Sequence, residues 1–123
     1  MENVVNVFVL GITIKNRHVL LYRDEDGKLK LPGGLLEYSK SPLETLNNKY
    51  ISQIGLSIRS DKLIDVISVY KRNKKVHNVV ILYDIKVNPG DLKCEWQCID
   101  ELSKKIIGSL TYEALILKGF VVK

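Results

Sequence analysis

The chain has little cysteine: two residues, Cys94 and Cys98, among 123. On an extended segment, residues four apart lie about 13 Å from each other, beyond the span of a disulfide. A two-cysteine zinc half-site finds no second pair of ligands nearby. Free thiols in a reducing compartment are therefore expected. Long hydrophobic runs are also missing. The longest early one, Val4 to Ile14, is short, contains Asn6 and has no basic start. Neither a signal peptide nor a membrane span is expected from it. Repeats, linkers and low-complexity segments are absent as well. These absences point to a cytoplasmic protein with no membrane association.

What remains is a chain sized for a single domain over residues 1–123, able to bury roughly two-thirds of its unfolded surface. Its hydrophobic fraction of 46% and charged fraction of 27% place it among ordinary globular chains. The net charge of +5 favours anionic partners such as nucleotides or RNA.

Val4 to Ile14 is β-rich, Lys15-Asn16-Arg17 is a polar turn, and His18 to Tyr22 continues as a strand, so the two segments are expected to form a hairpin. Asp24 to Gly27 marks the next turn, and Lys28 to Leu31 a short strand ending at Pro32. Ser41, Pro42 and Glu44 spell a helix start, with cap, first-turn proline and capping-box acid. Gly55 supplies its left-handed stop. At helical spacing Leu43, Leu46, Tyr50 and Ile54 share the packing side, while Thr45, Lys49, Ser52 and Gln53 share a neighbouring arc. Leu63 to Tyr70 and Val76 to Val87 read as strands joined by the basic turn Lys71 to Lys75. Leu92 to Ile99 alternates as a strand, Asp100 to Ile107 suggests a short helix, and Thr111 caps a last helix running to Lys118. Mixed strands with two or three helices imply an α/β (α+β) sandwich.

The segment "LPGGLLEYSKSPLETLNNKYISQIGL", the approach "VFVLGITIKNRHVLLYRDEDGKLK" and the later "CEWQCIDEL" together resemble the Nudix (MutT-like) superfamily. The likeness covers most of the chain, and the spacing from Gly34 to Gly55 is that of the Nudix box. It implies the Nudix fold, a mixed β-sheet sandwich flanked by helices. Family hydrolases cleave nucleoside diphosphate derivatives with divalent metals held by box carboxylates. At the corresponding positions this chain has Lys40, Lys49, Ser52 and Gln53, and the family's Arg-Glu pair falls on Asn48 and Lys49. The box is degenerate.

Magnesium takes hard oxygen ligands and usually one or two carboxylates. Two ammonium groups would repel it, by about 4 kcal/mol per unit pair at ~4 Å and an effective dielectric near 20, before screening. No cofactor is therefore expected. Mg²⁺ enters only under the alternative of a hydrolase that uses the displaced acids Glu37 and Glu95. Lys40 and Lys49 either supply fixed positive charge to a bound diphosphate or are solvated surface lysines. With Gly33, Gly34, Ser52, Gln53 and Arg23, which matches a position near substrate phosphates in relatives, they make the expected ligand site. Trp96, Tyr70 and Tyr83 either stack a base or pack in the core, and His77 is read as structural. Lys71, Arg72, Lys74 and Lys75 form the densest basic patch, a soluble hairpin tip or a contact for RNA phosphates. The function expected is binding of a nucleotide, nucleotide-like ligand, RNA or protein partner without hydrolysis. Relatives are often homodimers.

Overall fold

The computed structural model describes residues 4–120 and 122–123, and of Lys71 the backbone. β1 (Val4–Ile12) is apolar almost throughout because it is buried on both faces: Val9 points to one core, Leu10 and Ile12 to the other. At the buried Thr13 the chain leaves one sheet for another. β2 (Ile14–Lys15) then pairs with β3 (His18–Arg23), which pairs with β4 (Leu29–Lys30). The hairpin expected from Val4 to Tyr22 is thus confined to two residues on its first strand. β1 instead lies antiparallel to β5 (Gly33–Leu35) and parallel to a strand from much later in the chain.

α1 (Pro42–Lys49) begins as its sequence signals require. Ser41 Oγ accepts the Glu44 N–H at 3.1 Å, and Pro42 opens the first turn. It does not run on to Gly55 as an α-helix. From Tyr50 to Ile54 the turn widens to a π-helix, in which the Gly55 N–H reaches the Tyr50 carbonyl at 2.9 Å. Gly55 itself takes the left-handed conformation expected of it, φ +92.

β6 (Ile58–Lys71) is longer than the Leu63–Tyr70 strand read from the sequence, and a short 3₁₀ turn, Arg72–Lys74, leads to β7 (Val76–Val87). The first sheet has the order β5-β1-β7-β6. β8 (Glu95–Cys98) pairs with β3 and is half the length expected; Cys94 precedes it, and both cysteines are free. The helix expected over 100–107 is only a 3₁₀ turn, Ile99–Glu101. α2 (Ser109–Leu117) starts before Thr111, which is not its cap. The Thr111 hydroxyl is buried inside the fold and accepts the Leu31 N–H at 2.9 Å.

Two cores result. Leu46, Tyr50 and Ile54 of the first helical segment cover one face of β1 and β7, against Val9, Leu20 and Ile85. Leu10, Ile12, Val80 and Leu82 face the opposite way, toward β3, β4 and Ala114 and Leu115 of α2. The Tyr50 ring passes under Gly11, where a Cβ would stand 2.4 Å from its hydroxyl, and bonds Thr13 Oγ1 at 2.8 Å. Burial pushes that phenol well above its ordinary pKa. No described helix is long and apolar enough to cross a membrane.

Candidate functional site

The Gly33–Gly34 pair is held by β1, with Leu10 opposite Gly33 and Val9 opposite Gly34. Gly33 is buried with φ +138, and a Cβ there would lie 2.0 Å from the Val9 carbonyl oxygen. No other residue fits. Its peptide groups face the π-helical turn rather than solvent. Gln53 Oε1 accepts the Gly33 N–H at 2.9 Å, and Gln53 Nε2 donates to the Gly33 carbonyl at 3.0 Å. One amide side chain therefore clamps both polar groups of one residue. A carboxylate could accept there but could not donate.

Lys49 lies against the second glycine. A Cβ on Gly34 would stand 3.3 Å from Lys49 Cε and 3.8 Å from its Nζ, so the end of the half-buried lysine packs beside Gly34. Ser52 is exposed and donates to the Lys49 carbonyl at 3.3 Å. Lys40 is exposed, in a turn closed by its own N–H on the Glu37 carbonyl at 3.2 Å. Thr45 is buried rather than beside Lys49 and Ser52; its hydroxyl accepts the Glu37 N–H at 3.2 Å and ties the loop to α1. The wider turn after Lys49 rotates residues 52 and 53 away from the arc drawn at 3.6 residues per turn.

Two clefts flank this loop. The smaller, about 610 Å³, gathers Arg23, Ser52, Gln53 and Glu95 with Lys93 and Cys94. Arg23 Nη1 donates to the Gly27 carbonyl at 2.7 Å and so closes its own turn. Burial pushes the Cys94 thiol up, with Glu95 adding to it. Glu37 is not among the residues of either cleft.

The larger cleft, about 820 Å³, includes Gly33 and Gly34 and runs from the β3–β4 turn to the start of α2. Phe8, Leu10, Leu31, Ile107 and Leu110 make its apolar floor, and Tyr22 and Tyr112 add rings. Its rim carries Lys28, Lys30, Lys104 and Lys105 against Asp24, Asp26 and Glu113. Lys30 pairs with Asp24 at 2.6 Å and, by that bond, holds the Asp24 carboxyl below the usual range and is itself raised. Lys28 donates to the Lys105 carbonyl at 2.7 Å, and Lys104 Nζ sits 4.8 Å from the centre of the Tyr112 ring. Burial, ahead of the nearby charges, raises the Tyr22 phenol.

Sequence reasoning missed this cleft. The pair Lys104-Lys105 just before Gly108 is the local hint, but it falls in the segment expected to be helical, where no helix forms. Trp96 and Tyr83 pack against the core beside Tyr50, whereas Tyr70 is exposed on β6 with its ring edge-on to His77 at 6.0 Å. Arg72, Lys74 and Lys75 are exposed at the tip of the β6–β7 hairpin; the side chain of Lys71 lies outside the described residues.

Tested against a divalent metal, the donor set of the loop and helix does not fit. Lys49 brings a cation to Gly34, the Gln53 amide is engaged by Gly33, and Ser52 offers one hydroxyl. Among the described residues no three His, Cys, Asp or Glu side chains are grouped so as to hold a metal ion.

No protein-family model matches the sequence, and no curated protein matches it. Solved structures do. A Nudix hydrolase from Nitrosomonas europaea superposes with a TM-score of 0.80 at 18% identity, covering 94% of this chain and 88% of that one. A MutT Nudix hydrolase from Burkholderia pseudomallei gives 0.72 at 18% identity, over 93% of this chain and 98% of that one. An ADP-ribose pyrophosphatase from Streptococcus suis gives 0.62 at 21% identity, over 91% and 87%. The chain has the Nudix fold, of mixed β-sheets with two α-helices.

Proposed function

We propose that this Nudix-fold chain binds a nucleotide or nucleotide-like anion in the larger cleft and does not hydrolyse it. The observation that carries the proposal is the cleft itself: an apolar, tyrosine-bearing floor and a rim of four lysines and three acids, reaching the Gly33–Gly34 loop, with Lys49 packed on Gly34 outside the cleft's lining. Its volume of about 820 Å³ suits a ligand the size of a nucleoside diphosphate derivative, since small-molecule sites run to about 300–1,000 Å³. A base can lie on the floor while phosphates meet fixed ammonium groups, the role that metals have in hydrolases of this fold. Hydrolysis needs a base to activate water and positive charge on the phosphorus oxygens. Gln53 is clamped and Lys49 is cationic; of the acids on the rim Asp24 is held by Lys30, and among the described residues Asp26 and Glu113 belong to no cluster of three acids, cysteines or histidines that could hold a metal. ADP-ribose is a rational first probe, because one structural neighbour is an ADP-ribose pyrophosphatase.

The test is calorimetric titration with ADP-ribose and ATP in EDTA, together with melting curves. Ligand at ~100 times Kd raises stability by about 2.7 kcal/mol. Lys49→Glu is expected to weaken binding roughly tenfold or more; unchanged affinity refutes the part given to Lys49. Absence of binding by either probe, and by a wider nucleotide panel, refutes the cleft as a nucleotide site. The alternative, a Mg²⁺-dependent hydrolase relying on Glu37 and Glu95, requires phosphate or nucleotide release from that panel with Mg²⁺ or Mn²⁺. Such release would overturn the non-hydrolytic reading.

A further inference from the structure

β6 closes one side of the first sheet: β7 lies inside it, and among the described residues no strand lies outside it. At 14 residues it is a long edge. Proteins usually blunt such edges with bulges, proline or inward charges, because unpaired main-chain groups recruit other strands. Here both irregularities fall in the first half of the strand, between Ile58 and Ser60 and between Leu63 and Asp65. From Asp65, opposite Leu82, to Lys71, opposite Val76, the ladder is unbroken and free of proline.

Among the described residues no strand pairs with the outer edge of this regular stretch. Val66 N–H is met by the carboxylate of the preceding residue, Asp65 Oδ1, at 2.7 Å, as befits an amide turned away from β7. In an antiparallel pair outward and inward residues alternate, so the main-chain groups of Ser68 and Tyr70 also turn outward. Val66 and Tyr70 are 52% and 61% exposed, on the same face of the strand.

The stretch Asp65-Val66-Ile67-Ser68-Val69-Tyr70-Lys71 complements itself when reversed. Laid antiparallel on a second copy about a two-fold axis at Ser68, it sets Val66 opposite Tyr70 and Ile67 opposite Val69. Asp65 then faces position 71, which is lysine in the sequence. Apolar meets apolar, opposite charges meet, and the outward-turned residues 66, 68 and 70 are the ones that pair. A two-fold at Ile67 would instead set Asp65 against Val69 and Val66 against Ser68.

We infer that the chain forms a two-fold symmetric homodimer by β6–β6 pairing centred on Ser68, joining two four-stranded sheets into one. The occupant is a second copy because the stretch matches its own reverse in both charge and hydrophobicity. On pairing, Val66 N–H exchanges the Asp65 carboxylate for a carbonyl of the partner, and the carboxylate is freed to face the opposing position.

Sedimentation equilibrium on the full chain tests this with two charge reversals, Asp65→Lys and Lys71→Asp. In a homodimer of either variant, two like-charged pairs replace two opposite-charged ones. Each should dissociate roughly tenfold or more readily than the wild type. Mixing the two variants restores both pairs, since the new lysine of one chain then faces the new aspartate of the other. The mixture should therefore associate like the wild type. That recovery separates the proposed register from simple misfolding, which mixing does not repair. A wild-type chain that stays at 14.0 kDa up to ~100 µM, or a mixture no tighter than its components, overturns the inference.

Discussion

A glutamate at position 53 is expected to damage the fold. The Gln53 side chain accepts from Gly33 N–H at 2.9 Å and donates to the Gly33 carbonyl at 3.0 Å, and Gly33 is buried. In Gln53→Glu at neutral pH the carboxylate still accepts, somewhat more strongly. The donated bond, however, becomes a contact between two oxygens, and a buried carbonyl loses its partner. The lost hydrogen bond is worth about 1 kcal/mol and the unsatisfied acceptor about 1–3 kcal/mol, offset in part by the charge-assisted bond that remains. The net cost is about 2 kcal/mol, or roughly 5–10 °C in Tm for a domain of this size. Protonation repairs the defect, because a neutral carboxyl can donate to Gly33 and accept from it at once. The new carboxyl's folded pKa is therefore raised above its unfolded value of about 4.3. With that sign, the mutant's stability is fully present below about pH 4 and lost as pH rises through the raised value. Melting curves of wild type and mutant at pH 4 and pH 7 should show a gap that is small at the lower pH and full at the higher. Gln53→Ala, which can neither donate nor accept, should show the same gap at both. A mutant as stable as wild type at pH 7, or a gap that pH does not change, refutes the clamp.

The two loop glycines should part company under the same substitution. Gly33→Ala places a Cβ 2.0 Å from the Val9 carbonyl at φ +138 and should cost roughly 3 kcal/mol or more, seen as loss of folded protein. Gly34→Ala meets only the flexible end of Lys49 at 3.3 Å and should melt within about 1 kcal/mol of wild type. A separate expectation concerns acid. Asp24 is held below the usual carboxylate range chiefly by its bond to Lys30, so its stabilising effect is present above the unfolded value, near pH 4, and disappears as pH falls through the lowered one. An NMR pH titration should find the Asp24 carboxyl shifted down in the wild type and returned toward normal in Lys30→Ala; a normal value in the wild type refutes the pair.

Much of this protein was legible from neighbours in sequence. Ser41, Pro42 and Glu44 set the start of α1, Gly55 the left-handed end of the π-helical turn that follows it, and the run from Val76 to Val87 a strand, because caps, turn residues and apolar runs act through residues a few positions apart. The sequence also marks the Gly33-Gly34 loop as a candidate and carries non-acids downstream at Lys40, Lys49, Ser52 and Gln53.

Their use was not legible. Whether Tyr50 to Ile54 winds as an α- or a π-helix cannot be read from "YISQI", since the choice is made among Gly11, Thr13 and Gly33, which the turn meets only in the folded chain. Thr111 looked like a cap and is a buried acceptor for Leu31, eighty positions away. β1 looked like half of a hairpin and lies parallel to β7. Sequence by itself determined most of the strand segments, the start of α1 and the residue types carried along the glycine loop and the helix after it. Only the tertiary structure decided which strands meet and which polar groups are already engaged, because those are settled by contacts between residues that the chain's local preferences never compare.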